Sequence, residues 1–262
     1  MNNSPIGIFD SGMGGLSIWQ QIATDLPSES LIFFGDGLRC PYGTKSQEQI
    51  LEYTVDSVAR LLAEGCKMVV IACNTATAVA IEHLRTIYPH IPFVGLEPAV
   101  KPAALTTKSG TVAVLATARA LEGELFKHTS AQYADSVNII TAVGEGFVEI
   151  VESGMECSAE AEEAVRRVVE PLIEAGADKI VLGCTHYPFL RQTIEHVIGE
   201  RDVEVIDSGS AVCRRVAQLL DEHNLRADEQ NEPLYEFMTL ADDDYLNSLI
   251  LRAYGCDSEE EA

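Results

Sequence analysis

Two cysteines stand where buried strands are expected to end. Cys73 follows the apolar run 67–72, and Cys184 follows the apolar run 180–183. In open α/β sheets, ligands bind in the crevice at the carboxyl ends of the strands, and a helix N-terminus at that position lowers the pKa of a thiol. Two thiols that face one ligand would form an acid/base pair. Such a pair can move a proton from one face of a carbon atom to the other.

Each thiol is followed by polar side chains. Asn74 and Thr75 follow Cys73, whereas Thr185 and His186 follow Cys184. A single buried cysteine at a strand end is more often a small apolar residue, and a single histidine is more often structural. The second copy of the arrangement favours a chemical role for both thiols. His186, beside a thiol, is a candidate proton partner that favours the thiolate.

A glycine-rich turn of sequence DSGMGGL, residues 10–16, follows the first predicted strand. Its glycines permit a tight turn and let backbone N–H groups approach an anion. The turn matches neither the dinucleotide nor the P-loop pattern, which argues against a nucleotide site. Asp10 has two open interpretations, a helix cap or the proton partner of a nearby thiol.

Two further segments are candidates for the same sheet edge. The loop 35–43 ends in Pro41, Tyr42 and Gly43, and it could wall a pocket and offer backbone N–H groups to a carboxylate. Glu152 lies on a predicted helix that breaks at Gly154. Two glutamates three residues apart on a helix usually face solvent, so the local pattern alone assigns Glu152 no function.

Short Val, Ile and Leu runs alternate with helical patterns along the chain, which predicts the α/β class with parallel strands. The predicted strands are 6–10, 31–35, 68–72, 92–95, 111–116, 136–141, 179–183 and 203–206. The predicted helices are 14–25, 46–65, 75–87, 98–106, 119–129, 145–153, 158–175, 188–198 and 208–223.

The chain also has a low-resolution internal duplication. A strand end at Asp10 precedes Cys73 by about as many residues as a strand end at Thr117 precedes Cys184. This pattern predicts two similar doubly wound parallel-sheet domains related by pseudo-twofold symmetry, with the active site between them. The expected domains are residues 1–97 plus 207–262, and residues 98–206. Segment 234–254 is expected to complete the first domain, and residues 257–262 to form a frayed acidic tail.

Composition narrows the classes of partner. The 262 residues carry a formal net charge of −23, which argues against nucleic acid and against an anionic membrane surface as partners. There is no apolar run long enough to span a membrane and no signal-peptide pattern, so we expect a cytoplasmic protein. The seven cysteines are widely spaced and lack a Cys-x-x-Cys pair. They indicate free thiols, with no metal site and no disulfide framework.

Together, and in this order, these motifs resemble the glutamate racemases, a family of cofactor-independent enzymes that supply D-glutamate for bacterial peptidoglycan. The resemblance covers roughly residues 6–225. It is carried by the segments 9–16, 35–36, 41–43, 72–77, 115–117, 151–154, 182–188 and 206–209. The match is loose at Gly37, because the family often has a threonine there.

The resemblance implies roles for particular residues. Cys73 would remove the α-proton of D-glutamate, and Cys184 that of L-glutamate. Asp10 would assist Cys73, whereas His186, with Glu152 near it, would assist Cys184. The two substrate carboxylates and the ammonium group would be bound by Ser11, Tyr42, Gly43, Asn74, Thr75, Thr117 and Thr185, beside Pro41. The resemblance implies a homodimer and no cofactor.

Three alternatives stay open at this point. Related racemases of aspartate or hydantoin would keep the fold and change the substrate. A two-domain clamp could bind an anionic ligand without reacting, and an inhibitory protein–protein role is a third reading. A pyridoxal enzyme is disfavoured, because none of the six lysines lies at the carboxyl end of a predicted strand beside a glycine-rich loop.

Overall fold

The computed structural model describes residues 1–254, without the side chain of Leu125, and the predicted acidic tail 257–262 lies outside this range. The strands are β1 (Ile6–Asp10), β2 (Leu31–Gly35), β3 (Met68–Ile71), β4 (Phe93–Gly95), β5 (Thr111–Ala116), β6 (Asn138–Val143), β7 (Lys179–Gly183), β8 (Glu204–Ile206) and β9 (Tyr235–Thr239). The helices are α1 (Leu16–Asp25), α2 (Gln47–Ala63), α3 (Asn74–Ile87), α4 (Val100–Thr106), α5 (Ala118–Glu122), α6 (Glu124–Ala131), α7 (Phe147–Glu152), α8 (Ala159–Glu174), α9 (Arg191–Ile198), α10 (Gly209–Glu222) and α11 (Asp243–Ala253).

The strands form two parallel sheets, which confirms the predicted fold class. The first sheet has the order β4-β3-β1-β2-β9, and the second has the order β8-β7-β5-β6. Apart from β9 the two orders are equivalent, with β1 matching β5 and β3 matching β7. Every strand pair in both sheets is parallel. Cys73 and Cys184 therefore follow equivalent strands of two α/β domains.

The central strands are apolar throughout because both of their faces are covered. All residues of β1, β3 and β7 are buried. A parallel sheet is joined by crossover helices that pack on its two faces, so its strands do not alternate apolar and polar residues. These rigid strands hold the carboxyl-end residues in place.

Some predicted element bounds differ from the structure. The predicted helix 119–129 is interrupted at Gly123, whose extended backbone separates α5 from α6. Glycine is a weak helix former, and a side chain here would collide with Ala78. The predicted strand 136–141 lies two residues later, because Asn138 pairs with Thr111 at the start of β5.

The C-terminal segment contains a strand and a helix that the sequence pattern did not resolve. Strand β9 pairs with β2 at the edge of the first sheet. Trp19 packs against Tyr235 and Phe237, with ring centroids 5.2 Å apart in both pairs. The segment 234–254 thus adds to the first sheet, whereas the predicted domain boundaries stay a prediction. Among residues 1–254, none of the helices combines the length and the apolar character needed to cross a bilayer.

Candidate active site

A cavity of about 270 Å³ opens where the carboxyl ends of the two sheets face each other. Both thiols line it, so the structure brings together the equivalent cysteines of the two predicted repeats. The other predicted site residues that line the cavity are Ser11, Pro41, Tyr42, Gly43, Asn74, Thr75, Thr117, Thr185 and His186. Asp10 and Glu152 lie outside the lining and contact residues that belong to it.

The Cys73 thiol is buried at the N-terminus of α3. Its Sγ atom accepts a hydrogen bond from the backbone N–H of Ala76 at 3.4 Å and lies 3.4 Å from the Ser11 hydroxyl. Burial raises the pKa of Cys73 to about 12, and the nearby Asp10 carboxyl adds to this increase. The helix N-terminus acts in the opposite direction but does not outweigh burial. Cys73 is therefore a protonated thiol at neutral pH.

The Cys184 thiol faces an imidazole. Its Sγ atom lies 3.8 Å from Nδ1 of His186, and Nε2 of the same ring lies 2.6 Å from Oε1 of Glu152. Burial opposes protonation of His186, but hydrogen bonds to the Cys184 and Cys40 thiols and to Glu152 outweigh it, so the pKa of His186 is well above its ordinary value. A protonated imidazole beside Cys184 stabilises the thiolate.

Glu152 is held by groups from three parts of the chain. Its Oε1 atom accepts a hydrogen bond from the backbone N–H of Met13 at 2.8 Å, and its Oε2 atom accepts one from the Tyr245 hydroxyl at 2.8 Å. Burial raises the pKa of Glu152, but His186, Met13 and Tyr245 lower it more. The anion that approaches the glycine-rich turn is thus the carboxylate of Glu152.

Asp10 is fully buried and connects the two domains. Its carboxylate accepts hydrogen bonds from the backbone N–H of Gly12 and from the Thr185 hydroxyl, both at 3.0 Å. Gly15, not Asp10, is the N-cap residue of α1. Burial raises the pKa of Asp10, although the charge of His186 acts against this. The direct polar side-chain contact of the Cys73 thiol is with the Ser11 hydroxyl. Asp10 acts on that thiol through the charge of its carboxyl.

The opposite wall of the cavity offers neutral donors. The hydroxyls of Thr75 and Thr117 lie 2.9 Å apart and link the N-termini of α3 and α5. The side-chain nitrogen of Asn74 is buried and, among the described residues, has no hydrogen-bond partner. The Tyr42 hydroxyl donates to Asp36 at 2.6 Å, so this ring is fixed as part of the wall.

Sequence reasoning missed one stretch of the lining. Residues 143–146, which are the last residue of β6 and the loop after it, line the cavity together with Val148, Glu149, Thr44 and Ala118. Strand β6 is the equivalent of β2, and the loop after β2 was identified as a candidate. The duplication therefore carried the signal that could have found the loop after β6.

Comparison with known proteins agrees with this geometry. The sequence profile of the Asp/Glu/Hydantoin racemase family matches residues 16–216 of the chain. The glutamate racemase of Ectopseudomonas mendocina is 46% identical over 229 residues, which cover 87% of each chain.

Two solved structures have the same fold over nearly the whole chain. Glutamate racemase from Francisella tularensis in complex with D-glutamate has a TM-score of 0.83 at 28% identity and covers 97% of this chain and 95% of its own. Glutamate racemase from Escherichia coli with L-glutamate and the activator UDP-MurNAc-Ala has a TM-score of 0.82 at 31% identity and covers 95% of each chain. The chain thus belongs to the Asp/Glu/hydantoin racemase family and, within it, to the glutamate racemases.

Proposed function

We propose that this chain interconverts L- and D-glutamate by a two-thiol proton transfer at the α-carbon. The proposal depends on one observation: Cys73 and Cys184, which follow equivalent strands of the two sheets, line the same cavity. Glutamate is proposed as the substrate because similar proteins are named glutamate racemases and similar solved structures hold D- or L-glutamate.

In the direction from L to D, the Cys184 thiolate takes the α-proton of L-glutamate. The electron pair stays on the α-carbon, and the Cys73 thiol delivers its proton to the opposite face. Cys184 ends as a thiol and Cys73 as a thiolate, so protons and charge balance. The reverse reaction starts from that second state, in which Cys73 is the base.

The residues around each thiol set its protonation. His186 holds the Cys184 thiolate by charge, and Glu152 holds His186 in the protonated form through the 2.6 Å contact. Asp10 assists Cys73 as a nearby charge that keeps its proton in place, so that the proton is available to the α-carbon. The free enzyme is accordingly poised for L-glutamate.

The substrate's carboxylates are bound by neutral donors in this proposal. Among the described residues that line the cavity there is no lysine or arginine. Carboxylates would be held by the N-terminal N–H groups of α3 and by the unpaired amide of Asn74. Ser11, Thr75, Thr117, Thr185 and Gly43 add further polar contacts, and Pro41 and Tyr42 close the wall. Fixed donors stabilise the charge that develops at the α-carbon and its carboxylate in the transition state.

Four further parts of the proposal go beyond the geometry of the cavity. The product D-glutamate would serve peptidoglycan synthesis, the protein would be cytoplasmic, and two chains would form a homodimer. The chemistry is proposed to need no cofactor. These remain predictions for the cell and for solution studies of the purified chain.

The test is incubation of the purified protein with L-glutamate in deuterium oxide, with no cofactor added. We expect loss of optical rotation together with deuterium at the α-carbon for the wild type and for Cys157→Ser, which changes an exposed cysteine. Both Cys73→Ser and Cys184→Ser should lose inversion, by roughly 10²–10⁴-fold. A wild type that neither inverts nor exchanges glutamate would refute the substrate, and aspartate would be tested next.

A further inference from the structure

Three potential metal ligands converge behind the Cys184 thiol. One ligand atom each from Cys40, Glu152 and His186 lies within 4.8 Å of the other two. Cys40 comes from the loop after β2, Glu152 from the end of α7, and His186 from the turn after β7. Neither the proposed proton transfer nor substrate binding uses the Cys40 thiol.

The chemistry of this set fits one class of cation. A thiolate, an imidazole and a carboxylate are the protein ligands of zinc, whereas magnesium and calcium prefer oxygen atoms alone. Cys40 is half-buried and the Glu152 side chain is 17% exposed, so an ion can reach the set from solvent. His186 is buried behind them.

The scaffold already orients the ligands. Gly12 leaves space that both Glu152 and Cys40 occupy, since a side chain at Gly12 would collide with the two of them. Glu152 is fixed by the Met13 N–H and by the Tyr245 hydroxyl, each at 2.8 Å. Second contacts of this kind orient metal ligands and strengthen binding.

We propose that Cys40, Glu152 and His186 form an inhibitory site for a thiophilic divalent cation, zinc above all. Cys40 would bind as a thiolate and His186 through a neutral ring nitrogen, and the displaced protons would pass to solvent. A water molecule would complete four-coordination. The ion would replace the hydrogen bond between Glu152 and His186, and the two side chains, now 2.6 Å apart, would separate to bind it.

Inhibition follows from what the ion takes away. The ion would bind His186 and Glu152, two residues of the proposed mechanism, and would break the contact between them. Racemisation should therefore fall as zinc binds and recover with a chelator. This consequence rests on the proposed function, whereas binding of the metal does not, so the two can fail separately.

Binding is tested with Co²⁺ alone, without substrate, by the thiolate-to-cobalt charge-transfer absorption. We expect the band in wild type, in Cys157→Ser and in Cys73→Ser, and we expect its loss in Cys40→Ser and in Cys40→Ala. Glu152→Gln should weaken Co²⁺ binding by about tenfold or more. A band that survives in both Cys40 variants but disappears in Cys184→Ser would place the ion between the catalytic thiols and overturn the proposal.

Inhibition of racemisation by zinc provides the second test. The rate of each variant with zinc is compared with its own rate without zinc. Zinc should inhibit wild type and Cys157→Ser equally, and inhibition of Cys40→Ser should require at least about tenfold more zinc. Equal inhibition of Cys40→Ser and wild type would contradict the site. If Co²⁺ binds as expected but zinc leaves racemisation unchanged, the site stands as a metal site and its inhibitory role is refuted.

Discussion

The surroundings of Cys73 and Cys184 differ in charge although the two thiols occupy equivalent positions in two sheets of the same strand order. Cys73 has a hydroxyl and a helix N-terminus beside it, and the nearest charged group is the carboxyl of Asp10. Cys184 faces an imidazole whose pKa is raised by hydrogen bonds to thiols and to the half-buried carboxylate of Glu152.

This difference shows how a duplicated fold can serve an asymmetric resting state. The backbone repeat places both sulfur atoms, and the side chains outside the repeat decide which of them holds a proton. In the proposed mechanism one thiol is a base while the other is an acid, so two identical surroundings would leave the free enzyme in competing states. The asymmetry selects one of them.

Replacement of His186 by asparagine should have the largest effect on the difference between the two thiols. His186→Asn removes the positive charge beside Cys184 and should lower the rate of racemisation roughly 10²-fold. The same change should slow alkylation of Cys184 by iodoacetamide and leave alkylation of Cys73 unaffected, as read by mass spectrometry. His83→Asn, on an exposed face of α3, is the matched control. Equal slowing at both thiols would refute separate control.

The pH dependence of alkylation sharpens the comparison. Because the pKa of Cys73 is raised to about 12, its thiolate fraction should increase about tenfold per pH unit up to that value. Between pH 7 and 9, alkylation of Cys73 in Cys184→Ser should therefore accelerate roughly a hundredfold. A flat profile for Cys73 would show that its thiolate is already formed.

Loss of the Tyr245 hydroxyl is expected to have the smallest effect. Tyr245→Phe removes one hydrogen bond to Glu152, typically about 0.5–1.5 kcal/mol, and should reduce the rate of racemisation roughly two- to tenfold. That hydrogen bond helps to lower the pKa of Glu152. Without this hydrogen bond the pKa of Glu152 should rise. On acidification, the variant should therefore lose activity at a higher pH than the wild type.

Tyr254→Phe provides the control for that change. The Tyr254 ring packs at the edge of Trp19 near the end of the same helical segment, and its side chain is exposed. This variant should keep the wild-type pH profile. An unchanged profile in Tyr245→Phe as well would mean that the hydroxyl does not tune Glu152.

Strands β1 to β8 and most of the cavity-lining motifs were predictable because their signals are local. A buried parallel strand is a continuous apolar run, and the residue after it lies at the ligand-binding edge, as for Cys73 and Cys184. Glu152 gave no such signal. Its proposed role depends on Met13 and Tyr245, which are distant in sequence and reach it only in the folded chain.

Gly37 illustrates the same limit. The sequence comparison found only a departure from the family pattern at this position. In the fold, a side chain at Gly37 would overlap with the ring of Tyr245, so the glycine makes room for the residue that holds Glu152. Helix α11 carries Tyr245, and Asp242 caps its first turn by accepting the Tyr245 N–H at 3.0 Å. Neither this cap nor the approach of Tyr245 to Gly37 was identified from the sequence.

The most direct test of the unequal thiols is α-proton exchange in deuterium oxide by the single-thiol variants, with each enantiomer supplied separately and followed by NMR. Cys73→Ser keeps Cys184 and should exchange L-glutamate, without inversion and with the faster rate. Cys184→Ser keeps Cys73 and should exchange D-glutamate more slowly. Exchange of the same enantiomer by both variants, or equal rates for the two, would contradict the account.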